Sequence, residues 1–284
     1  MGTHTRRPLR VWIITPGQRA DRFTAARASA AGVALADLED SVAPADKPAA
    51  RAAAEQLFDR PDPLMTLGLR VNATTTLDGA RDLAAIADYT HKPDVLLVPK
   101  VESARDVEVV AGVLDTPDYA PGIWALIETP RAFDTLPSIL SAPRLAGVIF
   151  GSADYAAAVG CGLGWAPLLH PRATLVNSAA AAGIPAIDAP FFDLDDLDGL
   201  RREAEQAKDL GFYGKGAVHP RQADIIRDVF TPSQREIDHA RAVLAASEAS
   251  GAGITSVGGQ MVGRPFFAAA RALVDEADAT TGGA

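Results

Sequence analysis

The chain holds a single cysteine, Cys161, among 284 residues, so no intrachain disulfide can form. That cysteine lies in a Gly-rich loop with no base beside it in sequence, which favours a structural over a nucleophilic role. No apolar run approaches the roughly 18 residues needed to span a bilayer. Arg6 and Arg7 are not followed by an apolar core of signal-peptide length. These absences lead to the expectation of a cytoplasmic protein. Basic residues are outnumbered, 27 to 36, for a net charge of −9. That balance argues against nucleic acid or an anionic membrane as a partner, while leaving room for a local arginine pocket. There is neither a low-hydrophobicity tract nor a charge block to suggest extensive disorder. The first apolar run ends in Thr15-Pro-Gly-Gln18 and not in the Gly-rich turn of a dinucleotide-binding sheet.

What is present is a repeating alternation. Apolar or β-branched runs recur at Val11–Thr15, Val33–Leu38, Leu67–Val71, Val95–Pro99, Ile123–Ile127, Leu145–Phe150, Pro185–Ile187 and Gly216–Val218. Between them lie Ala-, Leu- and Arg-rich segments at helical spacing, among them Lys47–Phe58, Ala104–Leu114, Arg131–Leu140, Arg172–Ala182 and Leu197–Leu210. Strands alternating with such helices predict parallel β-α units. Continuous apolar runs without strict alternation fit strands buried on both faces. Eight units predict a (β/α)8 TIM barrel over residues 1–230, with an open doubly wound sheet as the competing architecture. Residues 231–284 read as a C-terminal helical extension or lid, with helices at Pro232–Ser247 and Pro265–Asp278. The Gly-rich stretch Ser250–Gly259 between them reads as a hinge.

Polar residues gather where the runs end. Asp37 and Glu39 follow the second, Arg70 and Asn72 the third, Lys100 the fourth, Glu128 the fifth, Asp154 the sixth, Asp188 the seventh and His219 the eighth. In a (β/α)8 barrel those ends form the catalytic face. Glu128 and Asp154 each terminate an apolar run, and a lone buried carboxylate is costly unless it is paired or holds a metal. Two of them suggest a site for a hard cation such as Mg2+. Arg70 among the acids suits a substrate carboxylate, which its planar fork can clamp at two points. The structural alternatives are ion pairs of Asp37, Glu39 and Asp40 with Arg70 or Lys100, a salt-bridged rather than Schiff-base Lys100, and a hydrogen-bonded His219.

Several ordered stretches carry a family resemblance: Leu35–Pro44 with Lys47, Arg70-Val-Asn72, Leu97–Ser103, Ala125–Thr129, Phe150–Asp154, Gly214–Pro220 and Phe230-Thr-Pro-Ser233. Together they resemble the citrate lyase β-subunit group of the HpcH/HpaI aldolase superfamily, from about Arg10 to Arg271. The resemblance implies a Mg2+-dependent carbon–carbon lyase or aldolase for citryl, malyl or citramalyl thioesters of coenzyme A or an acyl carrier. It implies Glu128 and Asp154 as metal ligands, and Arg70 with Asp37 and Glu39 as catalytic residues. Gly151, Ser152 and Ala153 are implied in substrate binding beside Arg70, and a homotrimer or hexamer is expected. The tail departs from the pattern, because Gly258 and Gly263 occupy positions where many relatives carry acids, the second an acid-base group. Two alternatives stay open at this point: a coenzyme A-independent aldolase for a small hydroxy-oxo acid, and a non-catalytic homologue that binds metal and ligand.

Overall fold

The structure, a computed structural model, describes residues 6–251 and 253–281, with side chains through Asp278. Residues 1–5, 252 and 282–284, at the ends of the two expected domains and inside the Gly-rich stretch, lie outside the described residues. Eight parallel strands close into one barrel in sequence order. They are β1 (Val11–Pro16), β2 (Val33–Asp37), β3 (Thr66–Arg70), β4 (Val95–Val98), β5 (Gly122–Ile127), β6 (Leu145–Phe150), β7 (Ala186–Asp188) and β8 (Gly214–Ala217). β8 returns to β1 through the pair Trp12↔Gly216.

Side chains alternate between two apolar compartments. Trp12, Val33, Leu35, Leu97, Trp124, Leu126, Ile149 and Ile187 pack inside the barrel. Val11, Ile13, Ala34, Ala36, Leu69, Leu96, Val98, Ile127 and Phe150 face outward under the helices. The period-2 geometry of a strand imposes this division, and because both faces are buried it leaves no polar alternation in sequence. The Trp12 and Trp124 rings, 4.6 Å apart between centroids, fill the barrel interior.

The helices depart from the periodic reading in three places. Arg131–Leu140 is two short helices, Pro130–Asp134 and Leu136–Leu140, because Pro137 cannot supply a helical N–H and favours the start of a new helix. The helix read from Arg172 begins at Trp165, with Pro171 inside it. A helix over Ser152–Val159 has no counterpart in the periodic reading; its sequence is dominated by alanine and shows no strong apolar stripe.

Arg6–Phe230 and the chain from Thr231 onward are separate compact units. The second unit has its own core of Val243, Leu244, Val262, Phe267, Ala270 and Val274. Its helix Gln234–Ala249 starts at a capping box formed by Ser233 and Glu236. Where a hinge was expected, the chain forms an antiparallel hairpin of β9 (Thr255–Val257) and β10 (Gln260–Val262). Gly258 and Gly259, at φ 58° and 83°, make the two-residue turn. Left-handed conformations at both positions match the type I′ turn that a twisted hairpin prefers.

Candidate active site

Parity decides which strand-end residues reach the barrel mouth. Asp37 continues the inward series Val33, Leu35; Arg70 the series Thr66, Gly68; and Glu128 the series Trp124, Leu126. They meet at a cavity of about 370 Å³ whose lining includes Asp37, Arg70, Glu128 and Gly151 through Asp154 over a floor of Trp12, Leu126 and Ile149.

Arg70 holds one side of this cavity. Its Nε and Nη2 donate to the two carboxylate oxygens of fully buried Asp37 at 2.6 and 2.7 Å. Asp37 also accepts from the backbone N–H groups of Glu39 and Ser41. Burial alone would raise the Asp37 carboxyl, but the bonds and charge of Arg70 outweigh it and hold the group below its ordinary value. Arg70 Nη1 lies 3.1 Å from Glu39 Oε2, close enough for charge attraction although not aligned as a hydrogen bond, and that oxygen is buried without a hydrogen-bond partner. Glu39 Oε1 accepts from Lys100 Nζ at 2.7 Å. Burial pushes the Glu39 carboxyl up, and Arg70 and Lys100 offset only part of the rise.

Glu128 is the group without a charged partner. It is 1 % exposed, and its Oε1 accepts from the backbone N–H of Lys100 at 2.8 Å. Among the described residues, no Lys or Arg side chain lies within salt-bridge distance of it. Burial first, then the neighbouring carboxylates Glu39 and Asp154, push its carboxyl from 4.5 up to about 9. The neighbouring strand permits this placement because Gly151 follows β6. A Cβ on Gly151 would stand 2.3 Å from Glu128 Cβ and 2.7 Å from Oε2, far inside contact distance. Gly151→Ala is therefore expected to displace the Glu128 carboxylate and to weaken divalent-cation binding by about tenfold or more. Calorimetric titration of the variant would check this, and an unchanged affinity would refute it.

Asp154 sits in the first turn of the helix Ser152–Val159, half-exposed to the cavity. The first N–H groups of that helix, from Ser152 onward, have no intrahelical acceptor and provide a positive helix end at the cavity. Asp40 is exposed at the mouth, 3.9 Å from Lys100 Nζ.

Other strand-end candidates lie elsewhere. Ile187 faces inward, so Asp188 faces outward, where it is fully buried. It accepts from Arg172 Nε at 2.7 Å and Lys215 Nζ at 2.5 Å, and Lys215 also bonds Glu203. Burial would raise Asp188, but these two cations hold it below its ordinary value. This closed ion cluster pins β7 and β8 to the surrounding helices. Asn72 bonds Asp82, the Leu38 carbonyl and Lys47 and likewise serves the frame. His219 Nδ1 accepts from the Arg221 N–H and caps the helix Pro220–Phe230. Cys161 is half-buried and packs against the outer apolar layer.

A closed parallel barrel with acids and one arginine converging at the C-terminal strand ends defines a (β/α)8 protein of the enzyme type. Residues 10–220 match the HpcH/HpaI aldolase/citrate lyase family, and residues 173–280 match the C–C bond lyases of the TIM-barrel fold. The chain belongs to the HpcH/HpaI aldolase/citrate lyase family. It is 37 % identical to a citrate lyase subunit beta-like protein of Mycobacterium tuberculosis, covering 95 % of this chain and 96 % of that protein. It is 34 % identical to a (3S)-malyl-CoA thioesterase of Cereibacter sphaeroides, with 97 % of each covered. The crystal structure of protein CitE from Mycobacterium tuberculosis in complex with magnesium, acetoacetate and coenzyme A superimposes with a TM-score of 0.81. That match has 35 % identity and covers 96 % of this chain and 99 % of that one. Among the described residues, no helix is long and apolar enough to cross a membrane.

Proposed function

We propose that this chain is a Mg2+-dependent carbon–carbon lyase. Its substrate would be a 2-oxo-acid-derived hydroxyacyl thioester such as citryl-, malyl- or citramalyl-CoA, cleaved or, in reverse, condensed. The observation that carries this reading is Glu128, a buried carboxylate facing Glu39 and Asp154 with no cationic side chain paired to it among the described residues. Leaving such a group uncompensated is expensive, and a bound cation would relieve it. The donor set fits Mg2+, which takes one or two carboxylates and completes its shell with water and substrate oxygens. Glu128 and Asp154 would hold it. Once bound, it would act as a Lewis acid toward the substrate's hydroxyl and carboxylate oxygens. The likeness to proteins named as malyl-CoA thioesterase and lyase, and to one solved with magnesium and coenzyme A, supports the same reading.

The remaining roles follow from the chain's own residues. Asp37 occupies the Nε–Nη2 edge of the Arg70 guanidinium and fixes its plane, so the remaining N–H groups of Nη1 and Nη2, with Glu39 close to Nη1, can bind the carboxylate of the 2-oxo-acid half. The N–H groups of Ser152 and Ala153 add a second contact to the anion, and Gly151 leaves room for it. Cleavage breaks the C–C bond, sends its electron pair to the carbon next to the thioester, and requires the hydroxyl proton to leave. Glu39 is suited to take that proton at Oε2, because burial favours its protonated form and that oxygen has no hydrogen-bond partner among the described residues. A proton returned to the carbon next to the thioester completes the acyl-CoA product. Asp37 stays ionised against Arg70 and serves orientation. A cytoplasmic location and a homotrimer or hexamer belong to the same proposal, on the family likeness alone.

The test is a panel of malyl, citramalyl and citryl thioesters and free hydroxy-oxo acids with Mg2+, products read by mass spectrometry. Cleavage of a thioester to acyl-CoA and a 2-oxo acid is the expected result. Turnover of free acids alone would replace it with a coenzyme A-independent aldolase. Binding of Mg2+ and pyruvate without turnover of any panel member would replace it with a non-catalytic homologue, a reading favoured by the lack of acids at Gly258 and Gly263.

A further inference from the structure

Lys100 is the one non-glycine residue with positive φ among the described residues, at 53°. The Cβ of a non-glycine residue there crowds the following carbonyl, so the conformation is disfavoured and persists only where the surroundings impose it. Parity shows what the bend achieves. Leu96 and Val98 point outward under the helices, so an extended Lys100 would follow them, away from the cavity. The left-handed turn reverses this. Its backbone N–H meets Glu128 Oε1 at 2.8 Å, and its Nζ meets Glu39 Oε1 at 2.7 Å. Lys100 thus touches the carboxylates that follow β5 and β2, and reaches them by two different groups.

We infer that Lys100 is a positioning residue whose strained backbone, more than its side chain, orients Glu128 for cation binding. With Oε1 held by the N–H and Oε2 fitted against Gly151, the carboxylate has one orientation. The ammonium group keeps Glu39 paired, so that this acid does not swing toward Glu128. The division of labour is specific: the backbone sets the affinity of Glu128 for a divalent cation, and the side chain sets the behaviour of Glu39. The inference rests on the proposed metal role of Glu128.

Four variants separate the two groups: Lys100→Gly, Lys100→Asn, Lys100→Ala and Lys100→Val. All lose the ammonium and keep the N–H, but tolerance of the left-handed conformation falls in that order. Mg2+ affinity of the full chain, measured by isothermal titration calorimetry, should follow the same order. The glycine variant should stay within about threefold of the parent, and the valine variant should lose about tenfold or more. Melting in EDTA should run in the same order, all four variants sharing the loss of the Lys100–Glu39 pair and the glycine variant losing least because it alone relieves the left-handed strain. An equal loss in all four variants would overturn the inference in favour of the ammonium group, and no loss in any would overturn it outright. If the parent chain itself binds no Mg2+, the failure lies with the metal reading of Glu128, and this inference falls with it.

Discussion

Replacing Glu128 by Gln should abolish catalysis and at the same time stabilise the metal-free barrel. The first effect follows from removing a metal ligand. Thioester cleavage should fall by about a thousandfold or more, equivalent to several kcal/mol of charge stabilisation, and EDTA should have the same effect on the parent. The second follows from linkage. The Glu128 carboxyl titrates at about 9 in the folded chain against an ordinary 4.5, so the folded state holds a proton that the unfolded state releases. Its contribution to stability is fully present below pH 4.5 and is lost as pH rises through about 9. Gln carries no such liability. Melting curves in EDTA should therefore coincide near the acid end and separate as pH rises, with the variant higher by on the order of a few kcal/mol near pH 8. Added Mg2+ should raise the melting temperature of the parent alone. The same linkage makes Mg2+ binding displace the proton, so affinity should climb by up to about tenfold per pH unit below 9. A Glu128→Gln chain that still turns over substrate, or that melts below the parent near pH 8, would remove the central carboxylate from this role.

Arg70 should behave in the opposite way, because here the fold and the chemistry depend on the same group. Asp37 is fully buried and Glu39 nearly so, at 4 % exposure, and Arg70 faces both. Arg70→Met leaves two acids buried beside one remaining ammonium, and breaking such a pair costs about 3–5 kcal/mol. The loss should depend on pH with a definite sign. The folded value of Asp37 is depressed, so its stabilisation is present above the ordinary 3.8 and disappears as pH falls through the folded value. The gap between parent and variant should thus be widest near neutrality and close in acid, as read by urea melts across that range. Arg70→Lys keeps the charge but loses the fork, since an ammonium cannot bond both Asp37 oxygens and a substrate carboxylate in one plane. It should fold, with kcat/KM down by about a hundredfold. A lysine variant with full activity would show that the charge alone matters.

Two stretches with the same sequence character explain how far the residues could be read directly. Ala125–Glu128 and Pro185–Asp188 are both apolar runs ending in a carboxylate, and both belong to barrel strands. In sequence they are equivalent. In the structure Glu128 faces the cavity and Asp188 faces the helices. The difference is one of phase, Glu128 falling in step with inward Trp124 and Leu126, and Asp188 out of step with inward Ile187. A strand exposed on one face would have revealed its phase by alternating polar and apolar residues. Strands buried on both sides conceal it.

Local chemistry was enough for what depends on neighbours along the chain. Apolar runs and helical spacing marked the barrel units, and Arg70, Asp37 and Glu39 were legible as one polar group because they follow adjacent strands. The Gly258-Gly259 pair, read as a hinge, became a hairpin turn once Thr255–Val257 and Gln260–Val262 paired. Their short, mixed character gives no periodic signal until the partner strand is present. The left-handed Lys100 was equally hidden, since nothing about a lysine favours positive φ and only contacts to Glu39 and Glu128 impose it. The residues alone establish that there are strands, and that charges gather at their ends. Closure of the barrel decides which charges meet, because it alone assigns each end an inside and an outside.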